Sequence, residues 1–197
     1  LADVDLDTVV LEKSNSAWAD GNNWSDGKSP QGNADYVVLD FLATNLNTPN
    51  TLNPVFQGRS LELRGNTTEL NLVPGFNSTV QINQLVLNGG SIVHGTEIDT
   101  IVLSGNIEVS ADSRIEVSGV LKTLIINSNI SGPGRITVTM DDALLDQTFL
   151  FLDGNNSNHQ GGWIFTGGRT TVNSAEALGS GSLSINNGIL ELHPDWN

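Results

Sequence analysis

An apolar–x–apolar triplet recurs along most of this chain, and it is the feature that most limits what the chain can fold into. It appears as Leu61-Glu62-Leu63, Leu70-Asn71-Leu72, Val80-Gln81-Ile82, Leu85-Val86-Leu87, Ile101-Val102-Leu103, Ile107-Glu108-Val109, Ile115-Glu116-Val117, Leu124-Ile125-Ile126, Ile136-Thr137-Val138, Leu183-Ser184-Ile185 and Leu190-Glu191-Leu192. Gly, Asn or Ser follows within a few residues of each triplet except Ile136-Thr137-Val138. Successive side chains of a strand point to opposite faces, so each triplet turns two apolar groups inward and one residue outward. Strands this short bury their apolar side by stacking on copies of themselves, which is the construction of a solenoid.

The triplet starts fall into series. Positions 80, 101, 124, 149, 170 and 190 form one, 70, 92, 115 and 136 a second, and 61, 85 and 107 a third. Three interleaved series predict an all-β parallel solenoid with about three short strands and roughly 22 residues per coil. An antiparallel β-sandwich also has short strands at regular spacing, but hairpin dipeptides are few here. The 21 Gly and 23 Asn suit a chain that turns a corner several times per coil, because both tolerate left-handed backbone angles. Helix signals are confined to residues 140–147 and 174–178. The reading is one continuous domain: an irregular N-terminal cap over residues 1–58, built around Trp18 and Trp24, then coils over 59–197. The opening at Leu1 without a signal peptide, and an ending without a closing element, suggest a mature form or a fragment of a longer chain.

Charge narrows the partners. A net charge of −14 with only eight Lys and Arg excludes the basic surface that nucleic acid requires, and equally disfavours anionic membranes. No run of eighteen apolar residues exists to span a membrane as a helix. With no cysteine, cohesion must come from stacking alone.

Two stretches carry a resemblance. Gly154 through Trp163, then Gly167-Gly168-Arg169-Thr170-Thr171-Val172-Asn173, and above all Ala177-Leu178-Gly179-Ser180-Gly181-Ser182-Leu183 through Leu192, resemble the autotransporter-associated β-strand repeat. The match is close over about forty residues and loose over the preceding hundred. It departs where the family has Tyr-x-Gly-Gly and this chain has His159-Gln160-Gly161-Gly162. Near the start, Trp18-Ala19-Asp20-Gly21-Asn22-Asn23-Trp24 through Pro30, with Ala34-Asp35-Tyr36-Val37-Val38-Leu39, is similar to the opening of many secreted bacterial β-helix proteins. Together these resemblances imply a right-handed parallel β-helix in an exported bacterial protein, extracellular or at the cell surface. Members of such families are passenger domains, adhesins or accessory parts of polysaccharide-active enzymes.

Candidate sites follow from residue chemistry. Asp3, Asp5 and Asp7 alternate along one strand side, and Asp20 and Asp26 lie beside Trp18 and Trp24. Clustered carboxylates supply the hard oxygen ligands that calcium takes, whereas an alternating acidic face also solvates an edge strand. Trp18 and Trp24 serve either as aromatic platforms or as capping structure. Trp163, facing outward, offers a flat surface for a sugar ring, and facing inward it fills the core. Asn156, Asn158 and His159 in the loop before it supply the neutral hydrogen-bonding groups that a glycan needs. Glu108 and Glu116 would resemble a glycosidase carboxylate pair if their strands adjoined, and otherwise are solvated. Arg114 and Arg135 lie 21 residues apart, about one coil, a spacing that predicts one corner ladder. The function expected is a non-catalytic extracellular β-helix domain, structural or adhesive, binding a polysaccharide or cell-surface glycan. The alternative is a polysaccharide lyase or glycoside hydrolase on the same scaffold. Further domains of a parent protein are expected partners.

Overall fold

Two apolar side chains inward and one outward, repeated coil after coil, produce columns rather than a single rounded core. The computed structural model of the chain describes residues 8–95, 100–140 and 148–193. In chain order its strands are β1 (Thr8–Val10), β2 (Ser16–Ala17), β3 (Asp35–Leu39), β4 (Asn45–Asn47), β5 (Val55–Phe56) and β6 (Ser60–Arg64). Then come β7 (Glu69–Asn71), β8 (Ser78–Asn88), β9 (Ser91–His94), β10 (Thr100–Ala111), β11 (Ser113–Val117) and β12 (Lys122–Ser131). The last are β13 (Ile136–Met140), β14 (Thr148–Leu152), β15 (Trp163–Thr166), β16 (Arg169–Val172), β17 (Leu183–Asn186) and β18 (Ile189–Leu192). Every ladder between these strands is parallel, as in the pairings of β10 with β8 and β12 and of β11 with β9 and β13. The chain is therefore an all-β parallel solenoid, not a sandwich. One sheet runs β1-β3-β6-β8-β10-β12-β14-β16-β18, with β5 beside β8; the other runs β17-β15-β13-β11-β9-β7-β4-β2. The eight strands of the second sheet count about eight turns.

Register gives the columns. Leu61, Leu85, Ile107 and Ile130 stack on one side of the interior, and Leu70, Ile92, Ile115, Val138 and Phe165 on another. Ile101, Leu124 and Leu150 form a third column, beside Leu103, Ile126, Leu152 and Val172. All of these are buried, and each buried aliphatic side chain contributes roughly 1.5–3 kcal/mol. The register refines the expected series at three points. Val80 pairs with Leu103 rather than Ile101, Ile136 pairs with Ser113, and in β14 the inward positions are 148, 150 and 152, so Phe149 faces outward.

In the middle coils two of the three expected strands are continuous. β8 pairs with β5 through residues 81 and 82 and with β6 through residues 85 to 87. β10 passes the same bend with a register shift between Gly105 and Asn106. Gly105 has φ +120, and a Cβ there would overlap the Ile82 carbonyl oxygen. No residue with a side chain fits that corner.

At the N-terminal side, β1 and β3 belong to the first sheet and β2 and β4 to the second. Trp18, Trp24, Tyr36 and Phe56 fill the interior there edge to face, with centroid separations from 4.8 to 6.4 Å. At the other side, the inward Leu183 and Ile185 remain 47% and 45% exposed, because no described coil covers them. Of the two helix signals, residues 174–178 carry a 3-10 turn at Ala175–Leu178, and Met140 ends β13. Residues 141–147 lie outside the described residues.

Candidate functional site

The bend shared by β8, β10 and β12 turns a repeated position outward. Just past it, Gln84, Asn106 and Asn129 stand in register on three successive coils. Neighbouring strands lie about 4.8 Å apart, so these amides form a ladder with that spacing. The loop following β14 supplies the far wall, with Asn155, Ser157 and Asn158. Together with Ile130 and Ser131 these residues line a groove of about 410 Å³. None of the lining residues is charged. Glu108 reaches the rim, where its Oε2 accepts from the Gln84 side-chain amide at 3.5 Å. Asn106 donates to the Asn83 carbonyl at 3.2 Å, which orients its amide. Neutral donors and acceptors at one spacing along a groove match the hydroxyl groups of an uncharged chain ligand.

The wall is held from inside by polar residues. Asn156 is fully buried; its Oδ1 accepts from the Ile130 backbone N–H and its Nδ2 donates to the Ala177 carbonyl, both at 2.7 Å. His159 is fully buried too, its Nε2 donating to the Gly162 carbonyl at 3.2 Å. Burial holds the imidazole below the ordinary histidine range, and the Gly162 and Gly132 backbone groups oppose that only in part. Trp163 packs edge-on against His159 at 5.3 Å, stacks on Phe165 at 5.8 Å, and donates its indole N–H to the Leu178 carbonyl. Of the loop residues expected to touch a ligand, Asn158 lies in the groove, whereas Asn156 and His159 anchor it from below.

The three tryptophans among the described residues face the interior. Trp18, Trp24 and Trp163 are each at most 2% exposed, so none presents a ring to solvent. Trp24 donates its indole N–H to the Trp18 carbonyl, and both serve the aromatic cluster. Outward aromatics on the sheets are instead Phe149 and Phe151 of β14, with centroids 6.4 Å apart, while Phe41 and Phe76 are exposed outside the strands. They line a cleft of about 510 Å³ with Thr171 and the Arg169–Glu191 ion pair, whose N···O distance is 2.6 Å.

The acidic candidates divide. Asp3, Asp5 and Asp7 lie outside the described residues. Asp20 caps the 3-10 turn Gly21–Asn23, accepting from the Asn22 backbone and side chain at 3.0 Å, and Asp26 accepts from the Lys28 backbone N–H. Both carboxylates thus serve turns. Among the described residues, no group of three or more His, Asp and Glu is placed to hold a metal ion. Glu108 on β10 and Glu116 on β11 do not adjoin, because the two strands belong to different sheets. Arg114 and Arg135 line one cleft of about 240 Å³ but do not share a ladder position: the register sets Arg114 opposite Thr137, and Arg135 is bound at 2.8 Å by Asp112. The Arg135 backbone N–H, bonded to Asp112, holds that carboxyl below its usual range.

The amide ladder itself was missed by sequence reasoning, although its signal was present. Gln84, Asn106 and Asn129 recur at the coil repeat, just before the apolar positions Leu85, Ile107 and Ile130. Among the described residues no helix is long and apolar enough to cross a membrane. In comparisons with known proteins, the chain matches no family model, no curated protein and no solved structure.

Proposed function

We propose that this chain is a non-catalytic domain of an exported bacterial surface or secreted protein, structural or adhesive in role, which holds a neutral glycan along the amide groove. The carrying observation is the in-register ladder of Gln84, Asn106 and Asn129 facing Asn155, Ser157 and Asn158. A row of uncharged hydrogen-bonding groups, repeated once per coil, suits a polymer that repeats along the solenoid axis better than a single small molecule. The net charge of −14 repels polyanions and so favours an uncharged chain. The likeness of residues 177–192 to the autotransporter-associated repeat supports the exported setting and a right-handed winding. An enzyme on this scaffold would need paired carboxylates or an acid–base cluster at the groove, and the lining residues include neither.

Affinity gel electrophoresis against a panel of neutral polysaccharides tests the reading. Retardation by at least one of them is expected, without release of reducing or unsaturated ends. The double variant Asn106→Ala/Asn129→Ala should migrate freely. Retardation unchanged in that variant, or release of sugar ends by the wild type, would overturn the proposal.

A further inference from the structure

The groove wall hangs on a buried titratable group. The segment from Gly154 to Gln160 turns Asn155, Ser157 and Asn158 to the ligand side and Asn156 and His159 to the interior. His159 is its last inward anchor. Its backbone N–H donates to the Asn156 carbonyl at 2.8 Å, and its carbonyl accepts from Ser180 N at 2.9 Å. The adjoining Gln160 N–H donates to the Gly132 carbonyl at 2.9 Å, where a parallel bridge joins Gly132 to His159.

The hydrogen bonds around the imidazole favour its neutral form. Nε2–H is taken by the Gly162 carbonyl, which fixes the tautomer and leaves Nδ1 as a bare acceptor. Nδ1 is buried and has no hydrogen-bond partner. A proton there would create a buried charge, which the Gly132 backbone, already bonded to the Gln160 N–H, offsets only in part, and burial of such a charge is costly.

No nearby carboxylate relieves that cost. Residues 129–133 and β15 carry no titratable side chain. Glu176, on the packed turn, is exposed; Asp153, at the start of the same loop, is bonded by Asn173; and Arg135 is committed to Asp112. Opening the segment to water is the route by which His159 can charge.

We infer that His159 is a pH-sensitive pin: when it is protonated, residues 154–160 detach from the solenoid and the groove loses its outer wall. The inference rests on the proposed role of the groove for its biological meaning, but not for its test. A domain built this way would hold its glycan in neutral surroundings and release it in acidic ones.

Hydrogen exchange read by NMR between pH 7.5 and 5.0 decides the matter. In the wild type, protection of the amides of Gly132, His159 and Gln160 should fall by up to about tenfold per pH unit below about 6.5, while the β8–β10–β12 ladders keep theirs. His159→Phe preserves the ring packing on Trp163 and cannot titrate, so its profile should be flat. His159→Gln keeps a side-chain donor and serves should the Phe variant misfold. An unchanged wild-type profile, a fall shared by every coil, or a pH-dependent fall that persists in both variants would overturn the pin. Gel retardation by a neutral polysaccharide at pH 7.5 and 5.5 is the second arm. Weaker retention at pH 5.5 in the wild type alone joins pin to groove. Absence of retention at every pH overturns the glycan reading and leaves the exchange profiles to judge His159.

Discussion

Two tryptophan-centred regions of the solenoid interior look alike in sequence and differ in kind. Around Trp24, the ring contacts are with Tyr36 and Phe56, and the indole N–H and the phenolic oxygen both have backbone partners. Around Trp163, the ring contacts are Phe165 and a histidine, and the adjoining segment is pinned by a buried asparagine. The first region is an aromatic cluster whose stability comes from buried area and edge-to-face geometry. The second spends part of its interior on polar groups that work only while every hydrogen bond is made and the imidazole is neutral. The groove lies over the second region, so the surface proposed to bind is backed by the more condition-dependent interior.

The comparison breaks most visibly at Trp24. Trp24→Ala removes a fully buried indole and should cost about 3–5 kcal/mol in urea unfolding, with no dependence on pH between 5 and 7.5. A loss below about 1 kcal/mol would mean that the cluster adds little to the stack. Asn156→Ala comes next. It strips the Ile130 N–H and the Ala177 carbonyl of their partners, and a loss of about 2–3 kcal/mol is expected. The hydrogen-exchange signature should concentrate in residues 154–180. A uniform loss across all coils would show that this region is not a separable unit.

Much of the fold was legible because inward aliphatics repeat with the coil. Leu61, Leu85 and Ile107 were placed in one column from spacing alone, and they stack in register. The site was less legible for a physical reason. A period identifies which residues stack, but an aromatic fits either face of a strand, and only register decides. Trp163 and Phe165 occupy the inward positions of β15, whereas Phe149 and Phe151 occupy the outward positions of β14. Nothing in the string Thr148-Phe149-Leu150-Phe151-Leu152 fixes that choice, since either alternation is apolar. The polar residues inverted in the same way. Asn156 and His159 read as ligand contacts, yet they face inward because the loop leaves backbone groups of Ile130 and Ala177 that need partners.

A smaller test addresses a surface pair remote from both regions. Burial pushes the Glu62 carboxyl up, but hydrogen bonds from Arg64 and Asn88 outweigh it and hold the group below its usual range. A carboxyl lowered by folding stabilises above its unfolded value, near 4.5, and that stability is lost as pH falls through the folded value. The Arg64 side chain is 44% exposed, so solvent screening limits the contribution to below about 1 kcal/mol. Comparing wild type and Glu62→Gln across pH 3 to 7 should show a gap that closes at the acid end. This window lies below the one assigned to His159, which keeps the two effects separable.

The smallest expected effect carries the sharpest statement about register. Phe151→Ala removes an outward ring from β14, and Phe165→Ala removes an inward ring from β15. By residue type alone the two substitutions are identical. By position, the second should cost about 3–5 kcal/mol and the first less than about 1 kcal/mol. Thermal melting of the two variants side by side reads the difference directly. Equal losses would mean that β14 is turned over, with Phe149 and Phe151 inside and Leu150 outside, because a slip of one residue exchanges every side chain between the faces of a strand. That slip would also shift Asn155, Ser157 and Asn158 relative to Gln84, Asn106 and Asn129. The Phe151→Ala and Phe165→Ala pair therefore tests the alignment of the groove itself.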